Sequence, residues 1–157
     1  MSEPIIIRIT GFPVAQRRPG LAVVAGHAVA FKRKVSRTWE QDARQVARVE
    51  MGARKPLQGC LALDLTSEMP PAASWPAWKR EAALEGRIRP TGTPDLDNLF
   101  KAAQDALNGV VWLDDAQIVE VSGRKRYGPQ PFLSIMVRVL EGAAPSQINA
   151  KKHLPGT

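Results

Sequence analysis

Asp95 and Asp97 open the segment Asp95-Leu96-Asp97-Asn98-Leu99-Phe100-Lys101, and a second acidic pair, Asp114 and Asp115, follows Val110-Val111-Trp112-Leu113. One Asp at a helix start is ordinary, because it accepts backbone N–H bonds and favours the positive end of the helix dipole by roughly 0.3–1 kcal/mol. Two acids in one first turn and a second pair beyond the helix exceed what capping needs. Gathering them costs repulsion unless a cation neutralises it. Oxygen-only donors point to a hard divalent ion, Mg²⁺ with Mn²⁺ as a substitute, which keeps several waters and is completed by a substrate phosphate. The candidate metal ligands are therefore Asp95, Asp97, Asp114 and Asp115. Lys101 stands four residues after Asp97 and four before Asp105. That spacing suits surface ion pairs of about 0.2–0.5 kcal/mol each. It equally suits an ammonium placed beside the carboxylates to hold a phosphate or offset developing charge.

Other chemistries lack their residues. Asp95-Leu96-Asp97-Asn98 begins like a calcium loop, but Leu99 and Phe100 stand where that loop needs an oxygen ligand and a glycine. His27 and His153 are the only histidines and Cys60 the only cysteine, so a zinc site, a Ser-His-Asp arrangement and an internal disulfide have no support. With 22 Lys and Arg against 15 Asp and Glu, the chain carries a net charge of +7, and a polyanion such as nucleic acid is the first partner to expect. Arg17, Arg18, Lys32, Arg33, Lys34, Arg37, Lys79, Arg80, Arg124, Lys125 and Arg126 are the candidate phosphate contacts, each weighed against a merely solvated surface charge. No apolar run approaches a membrane span and no signal-peptide pattern opens the chain, so a cytoplasmic protein is expected.

The elements that must position these residues follow from hydrophobic patterning. Ile5 to Ile9 is a short β-branched run read as a buried strand, and the apolar segments 21–25 and 27–31 around Gly26 are read as a hairpin. Ser36 would cap a helix to about Ala53, with a basic exposed face. Leu61, Leu63 and Leu65 mark a strand, and Ser74 to Gly86 a short helix with Ser74 near its cap. There Trp75 and Trp78 read as packing residues rather than base-stacking platforms. Leu99, Ala102, Ala103, Ala106 and Leu107 share one face of a helix over Leu96–Leu107, ended by Asn108-Gly109. The runs 117–127 and 132–140 alternate like strands and, joined by Gly128-Pro129, should pair as a hairpin. At 157 residues this amounts to one compact α/β (α+β) domain over residues 1–142, followed by a mobile basic tail at 143–157.

Pro94-Asp95-Leu96-Asp97-Asn98-Leu99 with Lys101, then Asp105-Ala106-Leu107-Asn108-Gly109, then Trp112-Leu113-Asp114-Asp115-Ala116-Gln117, resembles the core pattern of the RusA-like Holliday-junction resolvases. These are small endodeoxyribonucleases of bacteria and their phages. The resemblance extends more weakly to Gly11-Phe12-Pro13, Arg17-Arg18-Pro19 and Lys125-Arg126-Tyr127, covering most of residues 5 to 140. It implies a mixed β-sheet flanked by helices, Mg²⁺-dependent paired cleavage of four-way DNA junctions in recombination and repair, a homodimer, and a phage or prophage origin. It further implies Asp95, Asp97 and Asp115 as metal-binding catalytic acids, Asp114 as a supporting acid and Lys101 as the active-site lysine. Sequence preference is not transferable, because the stretch from Pro70 to Arg89 differs among such proteins.

Overall fold

The computed structural model describes residues 2–11, 20–31 and 34–142. Strand β1 (Ile5–Thr10) alternates strictly, with Ile5, Ile7 and Ile9 buried and Ile6, Arg8 and Thr10 exposed. Only one of its faces is covered, which corrects the expectation of a largely buried strand: β1 sits at the sheet edge. β2 (Gly20–Val24) and β3 (His27–Phe31) form the expected antiparallel hairpin as a separate two-stranded sheet. Its turn places Ala25 at φ 51° and Gly26 at φ 79°, the left-handed pair that matches strand twist in a two-residue connection.

Helix α1 (Lys34–Met51) buries Trp39, Ala43, Ala47 and Met51, four-residue steps along one stripe. It begins two residues before Ser36, which thus lies inside the first turn, and ends where Gly52 turns left-handed at φ 54°. Its exposed side is mixed among the described residues (Gln41, Asp42, Gln45, Arg48, Glu50) rather than basic. Helix α2 (Ala77–Leu84) has Pro76, not Ser74, at its N-cap. Trp75 therefore precedes the helix and meets Tyr127 edge-on, ring centroids 5.6 Å apart, while Trp78 is 67% exposed and packs less than expected. Helix α3 (Leu96–Leu107) has the bounds its apolar face predicts.

The main sheet runs in the order β1-β6-β4-β5, with β4 at Leu61–Met69, β5 at Ile118–Tyr127 and β6 at Phe132–Val139. β6 is antiparallel to β1 and β4, and β4 is parallel to β5. The expected β5–β6 hairpin is therefore split, with β4 lying between its arms. The reason is burial: Leu61, Ala62, Leu63 and Leu65 are all buried and demand neighbours on both sides, whereas β5, with Val119, Val121, Arg124 and Arg126 exposed, tolerates an edge. The connection passes over the end of β4, where Gly128 N–H donates to Met69 O at 3.0 Å.

Ile7, Ile135, Leu63 and Leu65 on one sheet face form a single core with α1 and α3, joined by Leu99, Ala103 and the fully buried Trp112. The opposite face is held by polar contacts: Arg124 pairs with Asp64 at 3.0 Å, Arg126 with Glu68 at 3.0 Å, and Arg8 stacks 3.8 Å from the Phe132 ring centroid. No helix among the described residues is long and apolar enough to cross a membrane. The tail expected at 143–157 lies outside the described residues.

Candidate functional site

Helix α3 presents the first acidic pair. Asp95 occupies its N-cap in an extended conformation, its carbonyl accepting from Leu99 N–H at 3.1 Å, yet its carboxylate makes no capping bond. Asp97 lies in the first turn. Both are exposed, and among the described residues neither carboxylate has a hydrogen-bond or ion-pair partner. One turn on, Lys101 is exposed and makes no ion pair among the described residues, so the surface ion-pair chain through it is not formed. Among the described residues, two carboxylates at the start of α3 and an ammonium one turn on thus stand open.

The helix beneath them is firmly seated. Leu99, Ala102, Ala103, Ala106 and Leu107 are buried, and Arg44 of α1 donates from Nε to Ala106 O at 3.0 Å and from Nη2 to Asp105 O at 2.8 Å. These bonds satisfy carbonyls of the last turn, which has no helical partner for them. At the other end, α3 lies close on β5: a Cβ added to Gly123 would come within 2.9 Å of the Phe100 ring and 3.3 Å of Leu96. Beside it, Lys125 Nζ donates to Gly92 O at 2.7 Å and Pro94 O at 3.2 Å.

The second acidic pair has its own frame, a single 3-10 turn over Asp115–Gln117. Asp114 caps this turn, accepting from Ala116 N–H at 2.9 Å, while Gln117 Oε1 accepts from the backbone N–H of Leu113 and Asp114, both at 3.0 Å. Gln117 Nε2 then donates to Leu57 O and Gly59 O at 2.9 and 3.1 Å, tying the turn to the segment before β4. Asp115 Oδ1 accepts from Trp112 Nε1 at 2.8 Å.

Each frame engages one carboxylate oxygen: Asp114 Oδ1 accepts from Ala116 N–H and Asp115 Oδ1 from Trp112 Nε1. No three His, Cys, Asp or Glu among the described residues form a group that could hold a metal ion, so the expected gathering of four acids is not preformed. Trp112 and Gln117 bind the second pair to the core that α3 shares and to the 57–59 segment. The donor chemistry at α3 nonetheless suits Mg²⁺, which needs only one or two carboxylates and completes its shell with water and substrate phosphate. Asp95 and Asp97, without partners among the described residues, meet that requirement.

The expected DNA contacts divide. Arg17, Arg18, Lys32 and Arg33 lie outside the described residues, and Lys34 and Arg37 fall in the first turn of α1. Arg80 is exposed, and Lys79 lies 4.1 Å over the Trp75 ring. Arg124, Lys125 and Arg126 are engaged within the molecule, by Asp64 and Thr66, by two carbonyls, and by Glu68. Residue patterning assigned no role to Gln117 or Gly123. Gln117 was accessible, since Asp114-Asp115-Ala116-Gln117 has the spacing of a capping box. Gly123 was not, because only the approach of α3 to β5 makes its missing side chain matter.

Comparison with known proteins gives two findings. Residues 10–138 match the family model described as Endodeoxyribonuclease RusA. The chain is also 32% identical over 135 residues to "Uncharacterized protein YqaN" of Bacillus subtilis (strain 168), covering 83% of this chain and 92% of that protein.

Proposed function

The chain belongs to the RusA endodeoxyribonuclease family, and from that premise we propose that it is a Mg²⁺-dependent nuclease that resolves four-way DNA junctions by paired phosphodiester cleavage, serving recombination and repair. The observation that carries this reading is the open set of Asp95, Asp97 and Lys101 at the start of α3, three charged groups without partners among the described residues, in a chain of that family.

Asp95 and Asp97 are the residues that would hold the metal, with Asp115 as the third acid; Asp115 Oδ2 has no partner among the described residues. When bound, the ion supplies Lewis-acid polarisation of the phosphodiester and a lowered pKa for an attacking water. Lys101 contacts the scissile phosphate and offsets the charge that builds on its oxygens. Trp112 holds Asp115 in one orientation through its indole N–H, so that carboxylate needs no reordering when substrate arrives. Basic residues outside the paired set neutralise DNA phosphates, which makes junction affinity fall steeply with salt. A homodimer, with two such sites for paired incisions, completes the reading, and a phage or prophage source is consistent with it.

The test is cleavage of a labelled four-way junction beside linear duplex and flap controls, with Mg²⁺ or EDTA, by wild type and Asp97→Asn. Metal-dependent paired nicks confined to the junction and lost in the variant are expected. Tight junction binding with no cleavage under any metal would replace the nuclease reading with that of a junction-binding protein, and preferential flap cutting would change the substrate class.

A further inference from the structure

Gly123 and Lys125 are alternate residues of β5, opposite Leu65 and Ser67 of β4, and so lie on the sheet face that carries the helices. Gly123 admits Phe100 and Leu96 of α3 to within about 3 Å of where its side chain would begin. Lys125 reaches past the same edge to the carbonyls of Gly92 and Pro94, the residue directly before Asp95. A cation near a helix N-terminus is disfavoured by the dipole, so general electrostatics does not explain its position. Nor, among the described residues, does Lys125 pair with a carboxylate: its two contacts there are main-chain oxygens, and Asp95 and Asp97 have no partner among those residues.

We propose that Lys125 is a positioning residue, which clamps the Gly92–Pro94 segment onto β5 and thereby sets where the chain enters α3 and how Asp95 and Asp97 are aimed. This replaces its expected role as a phosphate contact, because two of its three donor hydrogens are occupied within the molecule. The clamp and the seat at Gly123 act together: one fixes the approach to the helix, the other its distance from the sheet. The proposal rests on reading Asp95 and Asp97 as the acids of the site. Small displacements of such groups matter, since a misplacement of about 1 Å costs on the order of a hundredfold in rate.

The experiment compares wild type, Lys125→Met and Lys125→Arg by backbone hydrogen exchange, Mn²⁺ binding followed by electron paramagnetic resonance, and affinity for a four-way junction in EDTA. Lys125→Met is expected to raise exchange across residues 92–99 by about tenfold while α1 stays protected, a local rather than global opening. It should weaken Mn²⁺ binding by about tenfold, lower kcat with KM for the junction unchanged, and be partly rescued by Lys125→Arg. Unchanged exchange at 92–99 would overturn the clamp, and a loss of junction affinity alone would return Lys125 to the phosphate contacts. Raised exchange with undiminished Mn²⁺ affinity would overturn the positioning role. If wild type binds no Mn²⁺ at all, the reading of the acids fails, while exchange still decides whether Lys125 holds the segment.

Discussion

Trp112 Nε1 donates to Asp115 Oδ1 at 2.8 Å from an indole that is completely buried, so the direction of an acid near the surface is set by the core. The position of Asp115 is thereby coupled to the packing behind it, and a change inside the molecule should be felt at the site.

Trp112→Phe keeps the aromatic packing and removes the donor. It should cost stability by about 1–3 kcal/mol, combining a lost hydrogen bond to a charged group with the smaller ring. Cleavage should fall with junction affinity retained. Urea unfolding alongside single-turnover cleavage checks both, and equal losses in affinity and rate would contradict the orienting role.

Asp97→Asn should separate stability from activity. The carboxylate has no partner among the described residues, so its neutralisation removes only the favourable helix-dipole interaction, about 0.3–1 kcal/mol. A melting curve close to wild type together with abolished junction cleavage is the expected pair of results.

Gln117→Ala removes the acceptor for two backbone N–H groups and the donor to Leu57 and Gly59. A destabilisation of about 1–3 kcal/mol is expected, measured by chemical denaturation. Gln117→Glu should retain the cap but lose the link to the 57–59 carbonyls, giving an intermediate loss.

Gly123→Ala places a methyl group 2.9 Å from Phe100. Since α3 is held by Arg44 and its buried face, overpacking of about 1–3 kcal/mol is expected. Phe100→Leu in the same chain should recover part of it, and a double-mutant cycle in thermal unfolding would read the coupling.

Much of the site was legible before the fold. The four acids and Lys101 declare oxygen-ligand chemistry by residue type and spacing. What could not be read was how the acids are shared out. Asp95 at an N-cap looks like a capping residue yet makes no cap bond, while Asp114 caps its turn through Oδ1. These outcomes depend on partners such as Trp112 and Gln117, whose own positions come from the core and from residues 57–59. Likewise Arg124, Lys125 and Arg126 read as one basic cluster, but strand alternation and distant Asp64, Glu68 and Pro94 give each a separate internal contact.

By itself the sequence determined the local elements: α3 from Leu96 to Leu107 and the Ala25-Gly26 turn follow from periodicity and backbone preference within a few residues. It also determined the chemistry, since side-chain types do not change on folding. Only the tertiary structure decided that β4 separates β5 from β6, that α3 rests on Gly123, and that Lys125 serves the chain entering α3. Those relations pair residues some 23 to 78 positions apart, where the competition to bury Leu61, Leu63 and Leu65 on both sides outweighs the short Gly128-Pro129 connection that favoured a hairpin.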